Sequence, residues 1–396
     1  MDSMAKTRLR HLDLFIFLPY LFLCILGVIM VYSASANIGL QNGGSPKSYL
    51  IKQIIFVLIS LVLVFGTTAF NIKKLRNQTF LRWIGYVFIG VLISLLAIGQ
   101  TVNGAAGWIH IGGINIQPAE FAKFYLVLLV ADAIDRNQDT MISSPKGWWQ
   151  PLKKPLLICL AMLLLILFQP DVGGAAINFM IVFVMLMASG ISWKRGVTYL
   201  LGFVVFAYAV MMFVLVPMSN SGHFHYYQLA RITAFVNPFK HAQGVGQQLV
   251  NSFYAISNGG LFGSGLGNSI QKTGYLPEPN TDFIMAIMTE ELGALVTVVV
   301  MAILALIIFR TVLIGIRSNS PYQSLICYGI ATYLTIQALF NMGGVVGLLP
   351  ITGVTFPFIS YGGSSMMTLS LCLGLVLNIS GRQRLERQGY QVAANE

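Results

Sequence analysis

The 396-residue chain is long enough for two or three soluble domains of ~100–200 residues each, but its composition excludes them. Asp, Glu, Lys and Arg make up 9% of residues, against about 25% in soluble globular proteins. Hydrophobic residues make up 56% and the mean hydropathy is +0.75, so too few charges exist to cover a water-soluble surface. This is the composition of an integral membrane protein, and the net charge of +11 calls for a membrane explanation before nucleic acid. Cys24, Cys159, Cys327 and Cys372 sit in apolar runs without C-x-x-C spacing, and read as small buried hydrophobes.

In chain order, charge-free apolar runs near the ~20 residues a bilayer core requires occupy 14–31, 53–70, 83–99, 196–217 and 292–309. The runs 321–342 and 356–379 are slightly more polar, and 118–133, 155–168 and 173–189 are weaker. Together they predict an all-α integral membrane protein of about ten transmembrane helices, with 1–396 as a single polytopic domain. Arg8 and Arg10 before the first run and Ala34-Ser35-Ala36 after it imitate a cleavable signal. The run exceeds the ~7–15 residues of a signal core, so it reads as a retained helix.

The cations test this arrangement. Lys6, Arg8, Arg10, Lys73, Lys74, Arg76, Arg82, Arg136, Lys146, Lys153, Lys154, Lys194, Arg195, Arg310, Arg317, Arg382, Arg384 and Arg387 fall on one side. Only Lys47, Lys52, Arg231, Lys240 and Lys272 fall on the other, and Lys123 lies within a span. That bias places both termini in the cytoplasm. It leaves a short basic tail at 381–396 and one long extracellular loop at 219–281, which holds His223, His225, Arg231, Lys240, His241 and a glycine-rich stretch, 258–267. Loops beyond ~12–15 residues are usually functional or disordered; this one is rich in Phe, Tyr, Leu and Ile, which argues against disorder.

Three constellations are candidates for chemistry. In Gln117-Pro-Ala-Glu-Phe-Ala-Lys123, Pro118 suits a first helical turn, and Glu120 and Lys123 share a helix face within a span. Ionisable groups there are costly and functional by default, although a structural ion pair accounts for them equally well. Upstream, Trp108 and His110 lie in a glycine-rich external loop at 103–113, where a Trp commonly serves only as an anchor. The second constellation, 275–293, concentrates Glu278, Asp282, Glu290 and Glu291 in a chain with 13 acids in all. Asp282 stands where a helix enters the membrane from outside, and a helix-capping role competes with a catalytic one. Glu290 and Glu291 are two turns deeper and are expected to pair with a neighbouring helix. The third, 341–365, is broken by glycines and prolines, as backbone lining a cavity is. Ser360 and Ser364 there are candidate donors to a polar ligand, against tight glycine-mediated packing. His223 and His225 lack a third ligand for a metal, and no phosphate-binding glycine motif is present.

Ser33-Ala-Ser35, 117–123, Gln169-Pro-Asp-Val-Gly173, 227–231, 259–267, 275–293 and 347–365, in this order over nearly the whole chain, resemble the SEDS family (shape, elongation, division and sporulation). The stretches 103–108 and 276–282 are more similar to its division branch than to its elongation branch. Asn280, where the pattern more often has His, and Ala106-Gly107, where it often has a basic or polar residue, depart from it.

The resemblance implies a peptidoglycan glycosyltransferase that polymerises lipid II on the outer face of the bacterial cytoplasmic membrane, at the division septum. Its partners would be a class B penicillin-binding protein and other division-machinery membrane proteins, with no nucleic acid. No cofactor is implied, a divalent cation being left open. Asp282 matches the family's essential acidic position, and Glu120 and Lys123 match polar residues of its central cavity. A transfer that inverts an α-linked lipid pyrophosphate needs one base, for which Asp282 is placed, and positive charge, for which Arg231 and Lys123 are candidates. With Gln117, Trp108, Ser360 and Ser364 these residues form the expected substrate site. Two other functions compete: a lipid II flippase, to which broken helices and a buried Glu–Lys pair are suited, and a non-catalytic division scaffold.

Overall fold

A computed structural model describes residues 11–36, 47–98, 100–102, 105–111, 114–143, 149–190, 193–210, 212–213, 216–217, 227–244 and 246–388. Helices α1 (Leu14–Ala34), α2 (Lys47–Ala69) and α3 (Gln78–Ile98) precede a small sheet, and α4 (Pro118–Ser143), α5 (Lys153–Phe168), α6 (Val172–Met187) and α7 (Trp193–Val210) follow it. The outer segment contributes α8 (Tyr227–Val236) and α9 (Gln247–Gly259), and α10 (Ile284–Ile316), α11 (Pro321–Val345) and α12 (Gly363–Arg387) close the bundle. Among the described residues, seven helices are long and apolar enough to cross a membrane: α1, α2, α3, α5, α10, α11 and α12. The remaining predicted runs coincide with shorter or more polar helices: α6 has only 16 residues, α4 carries Glu120, Lys123, Asp132 and Asp135, and α7 covers Trp193–Val210 of the run 196–217. The chain is a multi-pass membrane protein.

Local chemistry starts these helices where they start. Asp13 caps α1 by accepting from the Phe15 N–H at 3.2 Å, and Asn77 opens α3 by accepting from Thr79 N–H at 3.0 Å. Asp171 caps α6 through the Gly174 N–H at 2.7 Å, and prolines stand first in α4 and α11, where no helical N–H is lost. Helix α12 is central, 83% of its most apolar window being buried, whereas α3 at 22% is peripheral. That burial explains why α12 tolerates polar residues such as Ser370 and Asn378, which find partners inside the protein.

At one end of the bundle, buried Asp13 gathers Arg310 (2.9 Å), Arg384 (3.1 Å) and Ser380 (3.0 Å), tying α1 to α10 and α12. Separately, Arg76 and Arg136 bracket buried Asp132 at 3.3 and 2.8 Å. Four cations thus have buried acidic partners in two groups.

The helical class holds, with one small addition: the glycine-rich loop before α4 forms a three-stranded antiparallel sheet, β1 (Gln100–Val102), β2 (Ala105–Ile111) and β3 (Ile114–Ile116), with Ile109 opposite Ile116. Alternating apolar residues there pair their backbone once β2 packs on α3 and α4. Two expected run boundaries need correction. The run 356–379 does not start as a helix. Helix α12 begins at Gly363, because Pro350, Gly353, Pro357 and Phe358, the last at φ 65°, hold the preceding segment out of helical geometry. The run 292–309 is the inner part of a longer helix, α10, which begins at Ile284 and is broken at Gly293 (φ 88°, ψ 163°). Within 219–281, the stretch from Tyr227 is ordered around α8 and α9; His223 and His225 lie outside the described residues.

Candidate active site

The site is built where the turn before α10 meets the α11–α12 connection. Pro277, Glu278 (φ 53°) and Pro279 turn the chain, and the Thr281 hydroxyl donates to Glu278 Oε2 at 2.9 Å. Each of the next three carbonyls is then taken by a donor from one region. Tyr361 N–H donates to Asn280 O (2.9 Å), Ser360 Oγ to Thr281 O (2.7 Å) and Asn341 Nδ2 to Asp282 O (2.8 Å). Asn341 Nδ2 also donates to Val354 O at 2.8 Å, and Asn280 Nδ2 to Ser35 Oγ of the turn after α1 at 3.0 Å. With its backbone pinned on both sides, Asp282 has little freedom except at the side chain.

That side chain lines a small recess together with Asn341, Thr352 and Gly353. Gly353 sits at φ 76°, where a side chain is strained. A Cβ there would stand 3.2 Å from Arg231 Nη1 and 3.5 Å from Asp282 Oδ2, so a carboxylate and a guanidinium flank one glycine. Arg231, on α8, donates to Ile351 O at 3.2 Å. Burial pushes the Asp282 carboxyl up to about 7, helped by the charge of Glu278 and opposed by Arg231.

A second polar group lies along α4. Lys123 is buried and pairs with Glu120 Oε1 at 2.5 Å, one turn before it; Tyr333 on α11 donates to Glu120 Oε2 at 3.0 Å. Gln117 caps the approach: its N–H donates to Ser364 Oγ (2.9 Å) and its amide to Asp171 Oδ2 (2.9 Å). Burial raises the Asp171 carboxyl, against the Gly174 N–H and the Lys123 charge. The charge of Asp171 adds a smaller upward push on the Asp282 carboxyl.

The expected site residues therefore divide. Asp282 and Arg231 meet at Gly353, and Glu120, Lys123 and Gln117 meet through α4. Ser360 and Ser364 are committed to backbone partners that hold the framework: Ser360 Oγ accepts from Phe356 N–H (2.7 Å), and Ser364 Oγ donates to Asn115 O (3.4 Å). Trp108 is half-buried on β2, beside Gly107, which abuts Gln169. Asn341, Tyr333 and Asp171 were not singled out from the sequence as site residues. Asp171 and Asn341 have a signal, since each lies in a stretch that the sequence marks, 169–173 and 341–365; Tyr333 has none beyond being polar in an apolar helix.

Glu291 reaches α1 through Ser33, and the other partners of the two acids lie mainly at 269–272, just after the glycine-rich stretch, with Asn258 of α9 also donating to Glu290. Glu291 accepts from Lys272 Nζ (2.6 Å) and Ser33 Oγ (2.7 Å), and Glu290 from Ser269 Oγ and the Ile270 (3.2 Å) and Gln271 (3.3 Å) amides. Among the described residues no group of three or more His, Cys, Asp or Glu side chains is arranged to hold a metal.

The fold and site define a class: a multi-pass helical membrane protein with a buried polar site at one end, built around a carboxylate and a guanidinium. The model of the cell cycle protein family FtsW/RodA/SpoVE matches residues 13–385, and the chain belongs to that family. It is 37% identical to a probable peptidoglycan glycosyltransferase FtsW of Lactococcus lactis, over 96% of this chain and 95% of the relative. It is 38% identical to the protein so named in Bacillus subtilis (95% and 92% covered), and 33% to stage V sporulation protein E of the same organism (96% and 99%). Among solved structures it is similar to a chain of a peptidoglycan synthase complex that coordinates polymerization and crosslinking, with a TM-score of 0.72 at 25% identity, over 96% and 99% of the chains. The rod shape determining protein RodA of Thermus thermophilus shares the fold at a TM-score of 0.64 and 23% identity, over 96% and 98%.

Proposed function

We propose that this chain is a peptidoglycan glycosyltransferase that polymerises lipid II at the outer face of the cytoplasmic membrane, for septal wall synthesis. The observation that carries this reading is that Asp282 and Arg231 flank Gly353, a proton acceptor and a cation beside the recess that Asp282 and Gly353 line. The FtsW-named relatives support the reaction and the division branch.

In the proposed step the acceptor hydroxyl oxygen attacks the anomeric carbon of the donor, and its proton passes to Asp282. The bond from that carbon to the pyrophosphate oxygen breaks, and the lipid pyrophosphate leaves with the electron pair. One displacement converts the α linkage to β. A carboxyl near 7 is poised to accept a proton at neutral pH. Arg231 offsets charge developing on the leaving group. A pyrophosphate departs without protonation, so the second carboxyl of an inverting glycosidase is not needed. Glu120 and Lys123, held by Tyr333, orient the lipid-linked substrate; Gln117 and Trp108 line the approach, and Ser360 and Ser364 hold the frame.

The same reading places both termini in the cytoplasm, ten spans in one domain over 1–396, and 219–281 outside. A class B penicillin-binding protein would cross-link the strands, alongside other division proteins. The test is purified protein in liposomes given lipid II, with and without the transpeptidase. Glycan strands support the proposal. Lipid II that changes leaflet without polymer identifies a flippase, and neither result identifies a scaffold.

A further inference from the structure

The break in α10 has an unusual repair. Gly293 leaves the helix, which frees carbonyls before it and amides after it. The loop after α9 satisfies both sets: Ser264 N–H donates to Glu290 O (2.9 Å) and Gly265 N–H to Glu291 O (3.0 Å). In return, Ala294 N–H donates to Gly260 O (3.0 Å) and Leu295 N–H to Leu261 O (3.3 Å), while Gly263 N–H donates to Gly259 O (2.7 Å). Glycine is required for the approach, since a Cβ on Gly263 would lie 2.3 Å from Glu291 O.

Two contacts set the depth of this loop. Asp13 meets Arg310 at one end of α1 and α10, and Ser33 meets Glu291 at the other. These contacts are about twenty residues apart on each helix, hence ~30 Å, the thickness of one hydrocarbon core. The Ser33–Glu291–Lys272 cluster therefore marks the boundary on the Asp282 side. Leu261 pairs with Leu295, about one turn (~5 Å) inside that boundary.

The side chains agree with that depth. Phe262 is 82% exposed and Leu261 60%, with Leu266 and Ile270 also exposed. They continue the exposed apolar face of α10 at Leu295, Val298 and Val299. The segment 259–271 has no charged residue, and Lys272, the first one after it, turns inward to Glu291. Backbone polar groups at membrane depth must be satisfied by protein, and the α10 pairing does this for the carbonyls of Gly260 and Leu261 and the amides of Ser264 and Gly265. We propose that the tip of this loop, Leu261 to Leu266, is a re-entrant segment whose Leu and Phe side chains lie among the acyl chains of the leaflet on the Asp282 side. It belongs to the membrane-binding surface and not to the aqueous loop.

The test is a spin label on Phe262→Cys in the full chain reconstituted in liposomes. The native cysteines are buried and leave the background low. Collision with molecular oxygen and with a polar nickel chelate is compared with that of a label at Tyr275→Cys, an exposed position of the outer segment. The proposal expects nickel collision at least ~10-fold below the Tyr275 reference, with oxygen collision retained, because a polar chelate partitions poorly into hydrocarbon. Nickel access equal to the reference overturns it in favour of water. Exclusion of both reagents overturns it in favour of a covering second copy of the chain. Leu266→Cys repeats the measurement should the first variant fail to fold.

Discussion

Asp282 and Glu291 lie nine positions apart in one acidic stretch, and both are carboxylates at the outer end of α10. Their surroundings are opposite. Glu291 is enclosed, with Lys272 Nζ at 2.6 Å and Ser33 Oγ at 2.7 Å on its oxygens. Asp282 is pinned through its backbone, while its carboxylate faces a recess with Arg231 across Gly353. A carboxylate whose oxygens are spent on fixed partners holds structure together; one whose backbone is held and whose oxygens face a cavity can exchange a proton. The density of acids identified the stretch, but saturation by partners separates the two roles.

The comparison breaks most sharply at the ion pair. Lys272→Met leaves Glu291 buried without its cation and should cost about 3–5 kcal/mol of stability, read as a lowered melting temperature in detergent. Asp282→Asn should do the reverse. It can fold and insert normally, with unchanged melting, while polymerisation falls at least ~10²-fold, the low end for loss of a general base. An active Asp282→Asn enzyme would remove this residue from the mechanism.

Gly353→Ala tests the shared wall. The left-handed backbone costs about 1–2 kcal/mol, and the new methyl stands between Arg231 and Asp282. Polymerisation should drop ~10-fold, more than the melting change accounts for, if the recess is the reaction site. The smallest effect is on pH. Because the base must be deprotonated, activity should rise with pH through about 7 and level off above it. Glu278→Gln removes a charge that raises the Asp282 carboxyl, so the rising limb should move to lower pH with the plateau kept. A limb that stays in place would assign the titration to another group.

Much of the candidate site is legible in the chain because membranes penalise charge. Glu120, Lys123, Arg231 and Asp282 stood out as ionisable residues in or beside apolar runs. Tyr333 did not, since a Tyr in an apolar helix looks the same whether it faces lipid, packs, or donates to a carboxylate. Ser360 and Ser364 stood out for the wrong property: their hydroxyls are spent on Thr281 O and Asn115 O, partners far away in sequence. The Gly293 break was also hidden, because one glycine in an apolar helix is common and its repair comes from 260–265.

By itself, then, the sequence determined the solvent. Hydropathy and charge are properties of single residues against bilayer and water, so the membrane class, the apolar runs and the cation bias needed no tertiary information. Tertiary structure alone decided which polar groups satisfy one another. Hydrogen bonds and ion pairs are short-ranged, and Asp13 with Arg310, Ser33 with Glu291 and Arg231 with Gly353 become neighbours only when helices distant in sequence pack together.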